Sequence, residues 1–385
     1  MTMIDRRRFI GQAGLAGALL LDPRLAFAAA PGERRFVFII LRGAMDGLAT
    51  VMPVGDPAYQ RLRGNFGPPP NAGAALPLDG QFALHPALVR TAVLYGKGEA
   101  AFVHAIASPY RDRSHFDAQN VLETGGTAAY AVQDGWLNRL LPLLPRTGEP
   151  ALAISATLPM ALRGTAPATS YAPSQLPQAD DDLLARVAAL YAGDAQLHAL
   201  WDQAMAARTM AGTDAAGRSN PEGLGKLAAT FLAKPNGPRI AVIELQGWDT
   251  HSGQAQRLNQ QLRQLDAVIA ALNDGLGAAW GQTVVVAATE FGRTAAPNGT
   301  GGTDHGTGGA AILAGGALKG GRVIADWPGL GPAQLYEGRD LRPTADLRAL
   351  FAGLAAEHFG LDPALVARTV FAAGAVKPIA GLVRV

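Results

Sequence analysis

Six short runs of almost unbroken apolar residues set the strongest constraint on this chain: RFVFIIL (35–41), AAFVHAI (100–106), ALAIS (151–155), RIAVIEL (239–245), TVVVAAT (283–289) and AAILAGG (310–316). A strand with one wet face alternates apolar and polar side chains, so a run that does not alternate marks a strand buried on both faces. Between the fourth and fifth runs, Leu258, Leu262, Leu265, Ile269, Leu272 and Leu276 recur at helical spacing, with Ser252 placed to cap the helix. Strand, helix and strand in that order form a parallel crossover unit. The pattern predicts an α/β fold with a mainly parallel sheet.

Two stretches break the alternation. Residues 163–181 are rich in Pro, Ser and Thr and read as a loop, and helical patterns follow over 182–234. Residues 160–235 are therefore expected to form a mostly helical insertion or cap on the sheet. Near the C-terminus, TADLRALFAGLAAEHFG predicts a helix capped at Thr344, with another starting near Asp362.

The N-terminus DRRRFIGQAGLAGALLLDPRLAFAAA has paired arginines, a mildly apolar stretch and a small-residue site at Ala26–Ala28. That is the layout of a twin-arginine export signal over residues 1–28, leaving a mature domain of 29–385. The apolar stretch Phe9–Leu21 is short for a membrane span, so no stable span is expected after processing. The reading implies the twin-arginine machinery as a partner and a periplasmic or secreted location. The segment also accounts for the chain's whole net charge of +2, with Arg6, Arg7, Arg8 and Arg24 against Asp5 and Asp22. The balanced remainder argues against a nucleic-acid partner. With no cysteine in the chain, disulfides and thiolate metal ligands are excluded.

In parallel α/β sheets, ligands bind beyond the carboxyl ends of the strands, so the residues after each run matter most. The first run leads to Asp46 between Gly43 and Gly47, and the second to Ser108, Arg111, Asp112, Arg113, Ser114 and His115. The fourth leads to Asp249 and His251, and the fifth to Glu290 and Arg293. The glycine-rich GGTDHG, just before the sixth, offers Asp304 and His305. Taken together, these loops predict one shared site holding a divalent ion, singly or as a pair. Imidazoles and carboxylates without thiolates suit Zn²⁺ or Mn²⁺ best, with Ca²⁺ or Mg²⁺ also compatible.

Each residue has a plainer reading. Asp46 suits a turn or cap, Asp249 a helix cap, and Glu290 a buried ion pair with Arg293. Ser114 is placed as a hydroxyl nucleophile at a helix N-terminus, with Arg111 and Arg113 for oxyanion contact, but also as a simple N-cap. Ser108 is the next candidate nucleophile. His104 reads as a core histidine, and His85, His198 and His358 as structural.

The segments LRGAMDGLATVMPVGDPAY, LHPAL, DRSHFDAQNVLETG, DGWLNRLL, GWDTHSGQ, ATEFGRT, NGTGGTDHGTGGAAILAGGALKGG and WPGL resemble the twin-arginine-exported family called domain of unknown function 1501. That family is placed in the alkaline-phosphatase-like superfamily, beside sulfatases and metal-dependent phosphomutases. The resemblance implies a doubly wound sheet with a two-metal site at its carboxyl edge. By motif it casts Asp46 as the first-strand metal aspartate, and Asp249 with His251 as the Asp–His pair of one metal. It casts His305 as the late histidine, and Glu290 in place of the second metal's aspartate. The chain departs where Phe291 follows Glu290 and where Asp249 and His251 are spaced tightly.

Two functions compete at this stage. One is an exported metal-dependent hydrolase of small anionic phosphate or sulfate esters. The other is a non-catalytic metal- or partner-binding protein on the same fold. An oxidoreductase is disfavoured, because GGTDHGTGG lacks the strand, GxGxxG and helix context of a dinucleotide site.

Overall fold

The structure, a computed structural model, describes residues 34–64, 66–145, 151–172, 181–194, 197–202, 204–205, 220–371 and 376–384. The expected export signal over 1–28 lies outside these. In chain order the strands are β1 (Arg35–Leu41), β2 (Val51–Met52), β3 (Leu76–Pro77), β4 (Ala83–Leu84), β5 (Ala100–Ala107) and β6 (Ala151–Ile154). They continue as β7 (Thr169–Ser170), β8 (Ile240–Leu245), β9 (Thr283–Thr289), β10 (Gly309–Ala314), β11 (Arg322–Ile324) and β12 (Ala345–Asp346). The main sheet runs β11-β5-β10-β9-β1-β8-β6-β7, with β12 beside β5, and β2, β4 and β3 form a small separate sheet. All six apolar runs are strands of the main sheet. Its pairings are parallel except those of β10, which is antiparallel to both β5 and β9.

The absence of alternation has a direct structural cause, visible in β1. Val37, Ile39 and Leu41 pack on one side with Leu262, Leu265, Ile269 and Leu272 of helix Gln254–Leu276 and with Leu227 and Phe231 of helix Pro221–Leu232. Phe36, Phe38 and Ile40 pack on the other with Trp136, Leu350, Phe351 and Leu354. There Trp136 stacks on Phe351 with ring centroids 4.9 Å apart. Fully burying each such side chain contributes roughly 1.5–3 kcal/mol. Helices on both faces make this a doubly wound α/β fold.

The described part of segment 160–235 joins both the sheet and the layer over it. Within its described part, Thr169–Ser170 forms the edge strand beside β6, and helix Pro221–Leu232 lies in the layer covering the sheet. Two caps also fall elsewhere than expected. The helix expected from Ser252 starts at Gln254 behind Gly253, which holds φ +55, and the Gln254 N–H donates to the Gly301 carbonyl. Thr344 is still extended, donating to the Ala105 carbonyl, and β12 intervenes before Asp346 caps helix Leu347–Phe359. The next helix is capped by Asp362, as expected. No helix among the described residues is long and apolar enough to cross a membrane.

His104 is a core histidine. It is fully buried, its Nε2 lies 2.8 Å from the Val51 carbonyl, and its Nδ1 accepts from the Ala105 N–H. Burial pushes its pKa down to about 4, below the unfolded value of about 6.5. Between those values the unfolded chain binds the extra proton, so this contribution to stability is complete above about pH 6.5 and is lost as the pH falls towards 4. The loss amounts to about 3 kcal/mol. Stability measured by denaturant unfolding should therefore fall less steeply between pH 6.5 and 4 in His104→Gln than in the wild type. Equal slopes would mean that His104 titrates normally in the folded chain.

Candidate metal centre

The antiparallel run of β10 is what brings the site together. Residues that precede a parallel strand lie at the amino edge, but those preceding β10 lie at the carboxyl edge, beside the ends of β1, β5, β8 and β9. The segment between β9 and β10 therefore stays at one edge, carrying Glu290 at its start and His305 near its end. Its glycines let it lie flat on its neighbours. A Cβ on Gly302 would stand 2.2 Å from the His251 carbonyl carbon, and one on Gly306 would stand 2.4 Å from that of Arg293. Either contact would force the backbone apart.

Three imidazoles meet there. His305 Nε2 lies 3.0 Å from His115 Nε2 and 2.9 Å from His251 Nε2. Asp249 joins them, with Oδ1 3.1 Å from His251 Nε2 and 3.5 Å from His305 Nε2, and Oδ2 3.5 Å from His115 Nε2. The donor atoms of His115, Asp249 and His305 all lie within 4.8 Å of one another.

On each ring the other nitrogen faces an acceptor. His115 Nδ1 is 2.8 Å from Glu290 Oε1, His305 Nδ1 is 2.9 Å from the Arg113 carbonyl, and His251 Nδ1 is 3.0 Å from Asp304 Oδ1. A proton on Nδ1 of each ring would satisfy these contacts and turn the Nε2 lone pairs towards the shared centre. Lone pairs about 3 Å apart repel unless a cation lies between them. Tetrahedral zinc, with bonds of about 2.0–2.1 Å, would separate its ligand nitrogens by roughly 3.3 Å, close to the 3.0 and 2.9 Å between His305 and its two neighbours. The cluster can therefore coordinate a metal ion, and the carboxylate or carbonyl behind each ring is the usual support of a metal-bound imidazole.

The surrounding charges act on the rings in opposite directions. The hydrogen bond to Glu290 raises the His115 pKa, whereas burial and the neighbouring His115 lower that of His305. Burial works against the Asp249 carboxylate, but Arg293 outweighs it and holds the pKa below the ordinary value. Arg293 is itself fully buried. It binds Asp249 at 2.5 Å and donates to the carbonyls of Gly43, Ala44, Trp248 and Thr303, tying three strand-end loops together.

The expected residues divide between this centre and its supports. Asp249, His251 and His305 converge on it. Glu290 stands behind His115, and its oxygens also accept from the Gly43 N–H, Gln119 and Thr289. Its partner is thus His115 rather than Arg293. Asp304 supports His251 rather than His305, and Asn298 holds it in place.

Asp46 lies apart from the donor cluster, 1% exposed, with both oxygens engaged by Arg63, Gln254 and the Ala49 N–H. Burial opposes its charge, yet Arg63 outweighs that and keeps its pKa low. Arg113 turns its guanidinium to Asp340 and Glu337, so only its carbonyl reaches the centre. Arg111 donates to the carbonyls of Ser108 and Tyr110 in its own loop. Ser108 is buried, and its hydroxyl lies 3.4 Å from the Tyr110 N–H. Ser114 takes the N-cap backbone position of helix His115–Thr124, but its side chain makes no capping bond.

The sequence reading noticed His115 only as a residue leading into a helix. The signal that would have found it is position. His115 opens a helix and His251 and His305 lie in loops, all at the carboxyl edge, while His85, His104 and His358 are buried.

The family described as "Protein of unknown function (DUF1501)" matches residues 33–370, and the chain belongs to it. No curated protein matches. Among solved structures, the chain is similar to the C-terminal periplasmic domain of EcEptC from Escherichia coli, at 12% identity and a TM-score of 0.42, over 89% of this chain and 87% of that one. It is similar to BT1596, a 2-O GAG sulfatase, at 10% identity and a TM-score of 0.43, over 90% and 76%. It is also similar to the alkaline phosphatase of the Antarctic bacterium TAB5, at 12% identity and a TM-score of 0.34, over 74% and 92%.

Proposed function

We propose that this member of the DUF1501 family is an exported metal-dependent hydrolase of phosphate or sulfate esters, holding one divalent ion on His115, His251, His305 and Asp249. The observation that carries the reading is the convergence of donor atoms of His115, Asp249 and His305 within 4.8 Å of one another, with His251 Nε2 beside His305 and each ring held from behind. Such a donor set suits zinc or manganese. When bound, the ion stabilises charge developing on a phosphoryl or sulfuryl oxygen.

The surroundings support a single ion. Asp46 is neutralised by Arg63, and the guanidinium of Arg293 already supplies a fixed positive charge beside Asp249. Ser114 is the proposed nucleophile. It adjoins His115, its hydroxyl is not engaged in capping, and the free N–H groups of the ten-residue helix behind it favour an anion. Export on the twin-arginine pathway rests on the sequence of residues 1–28, with the mature chain starting near Ala29.

One preparation tests the proposal. Protein recovered from the periplasm should begin near Ala29, contain about one equivalent of zinc or manganese by elemental analysis, and hydrolyse members of a panel of aryl phosphates and sulfates. Ser114→Ala should abolish turnover and leave metal content and melting temperature nearly unchanged. If the Ser114 hydroxyl takes no part in the reaction, the same variant should keep its activity. Full metal content with no turnover of any ester would favour the non-catalytic reading.

A further inference from the structure

A cavity of about 480 Å³ opens beside the metal centre, within the range of roughly 300–1,000 Å³ usual for small-molecule sites. One helix serves both. His115 at the start of helix His115–Thr124 reaches the centre, while Phe116, Gln119, Asn120 and Glu123 line the cavity. Those four positions share one helical face. The two sites are also joined by hydrogen bonds. Arg42 Nη1 donates to Gln119 Oε1 at 3.1 Å, and Gln119 Nε2 donates to Glu290 Oε1 at 3.1 Å. Glu290 is the residue that holds His115.

The cavity's chemistry is mixed but balanced. Arg42 bridges Glu123, 2.9 Å away, and Glu244, to which its Nε donates at 2.8 Å. Arg163 also lines the cavity, so two cations accompany two carboxylates with no net charge. Two large aromatic side chains of the lining stand in solvent, Phe116 at 81% exposure and Tyr130 at 59%. Exposed rings offer faces for stacking. Carboxylates and guanidinium groups side by side offer acceptors and donors in alternation, which matches hydroxyls that both donate and accept. A bare aryl group would cover those polar atoms without pairing them, and a lining of balanced charge gives an anion no net attraction.

We propose that this cavity is the subsite for a neutral, polyhydroxylated ring, a sugar or cyclitol, stacked on Phe116 and Tyr130 and hydrogen-bonded by Glu244 and Arg42. The inference rests on the hydrolase reading in that the ring would be the part of the ester that leaves, with the ester group at the metal centre.

Binding can be tested without turnover. Saturation-transfer NMR on the full mature chain would use methyl α-glucopyranoside, methyl β-galactopyranoside and myo-inositol as probes, with phenol as the apolar control. At least one hydroxylated probe should receive saturation on its ring C–H groups. Phe116→Ala should weaken that binding about tenfold, and Glu244→Gln should weaken it severalfold. Phe116→Ala, whose ring stands in solvent, should keep the wild-type melting temperature. No transfer to any hydroxylated probe would overturn the proposal, whether or not phenol binds. So would transfer that both substitutions leave unchanged. Turnover of aryl esters by a chain that binds no sugar would sink the subsite alone, and sugar binding without ester turnover would sink the hydrolase reading alone.

Discussion

His305→Ala should leave the purified protein without its metal, the largest effect expected of any single substitution. His305 Nε2 lies between His115 and His251 at 3.0 and 2.9 Å, so its removal takes away the donor that both other rings face. His115→Ala should do the same, although nothing in the sequence reading placed it among the ligands. The residues behind the rings should behave differently. Asp304→Asn keeps the shape but weakens the hold on His251 Nδ1, and should lower affinity by about 10–100-fold without abolishing binding. Titration of the apo-protein with zinc against a competing chelator separates the two classes. Wild-type affinity in His305→Ala would remove the centre from this face of the sheet, and equal losses in His305→Ala and Asp304→Asn would make Asp304 a direct ligand.

The contrast between His305 and His115 shows what a linear sequence conveys about such a site. The glycines around His305 mark it, because a loop that must lie against other backbones cannot carry side chains there, and Gly302 and Gly306 are in that position. His115 carries no such mark. Its role follows from the helix at its back and from Glu290, 175 residues away in sequence. The sheet was legible because burial on both faces erases alternation, a signal local to each strand. The antiparallel direction of β10 was not, since a run buried on both faces reads the same either way. The caps were misplaced where tertiary bonds took over, as when the Gly301 carbonyl receives the Gln254 N–H. Asp46 illustrates the same limit from the other side. A carboxylate between glycines at a strand end looks like a ligand, and only the fold reveals that Arg63 has claimed it.

Arg63→Ala should destabilise the fold by about 3–5 kcal/mol, because it would leave the Asp46 carboxylate buried without its counter-charge. The pair is enclosed, with side-chain exposures of 2% and 1% and an N–O distance of 2.7 Å. Arg63 also donates to the carbonyls of Thr294 and Ala295, so its loss would unfasten the segment that carries His305. Gln254 alone would remain on Asp46 Oδ2, at 2.6 Å, and a neutral amide cannot replace a guanidinium there. Denaturant unfolding of Arg63→Ala, with the slope of the transition checked against wild type, would measure the loss. Asp46→Asn should also destabilise, but its folded fraction should keep one equivalent of metal, because neither Asp46 oxygen belongs to the cluster of donors. If Asp46→Asn instead stripped the ion while Arg63→Ala unfolded like wild type, Asp46 would be a ligand and Arg63 a bystander. The centre would then extend towards β1, and the positive charge assigned here to a fixed arginine would have to come from a second ion.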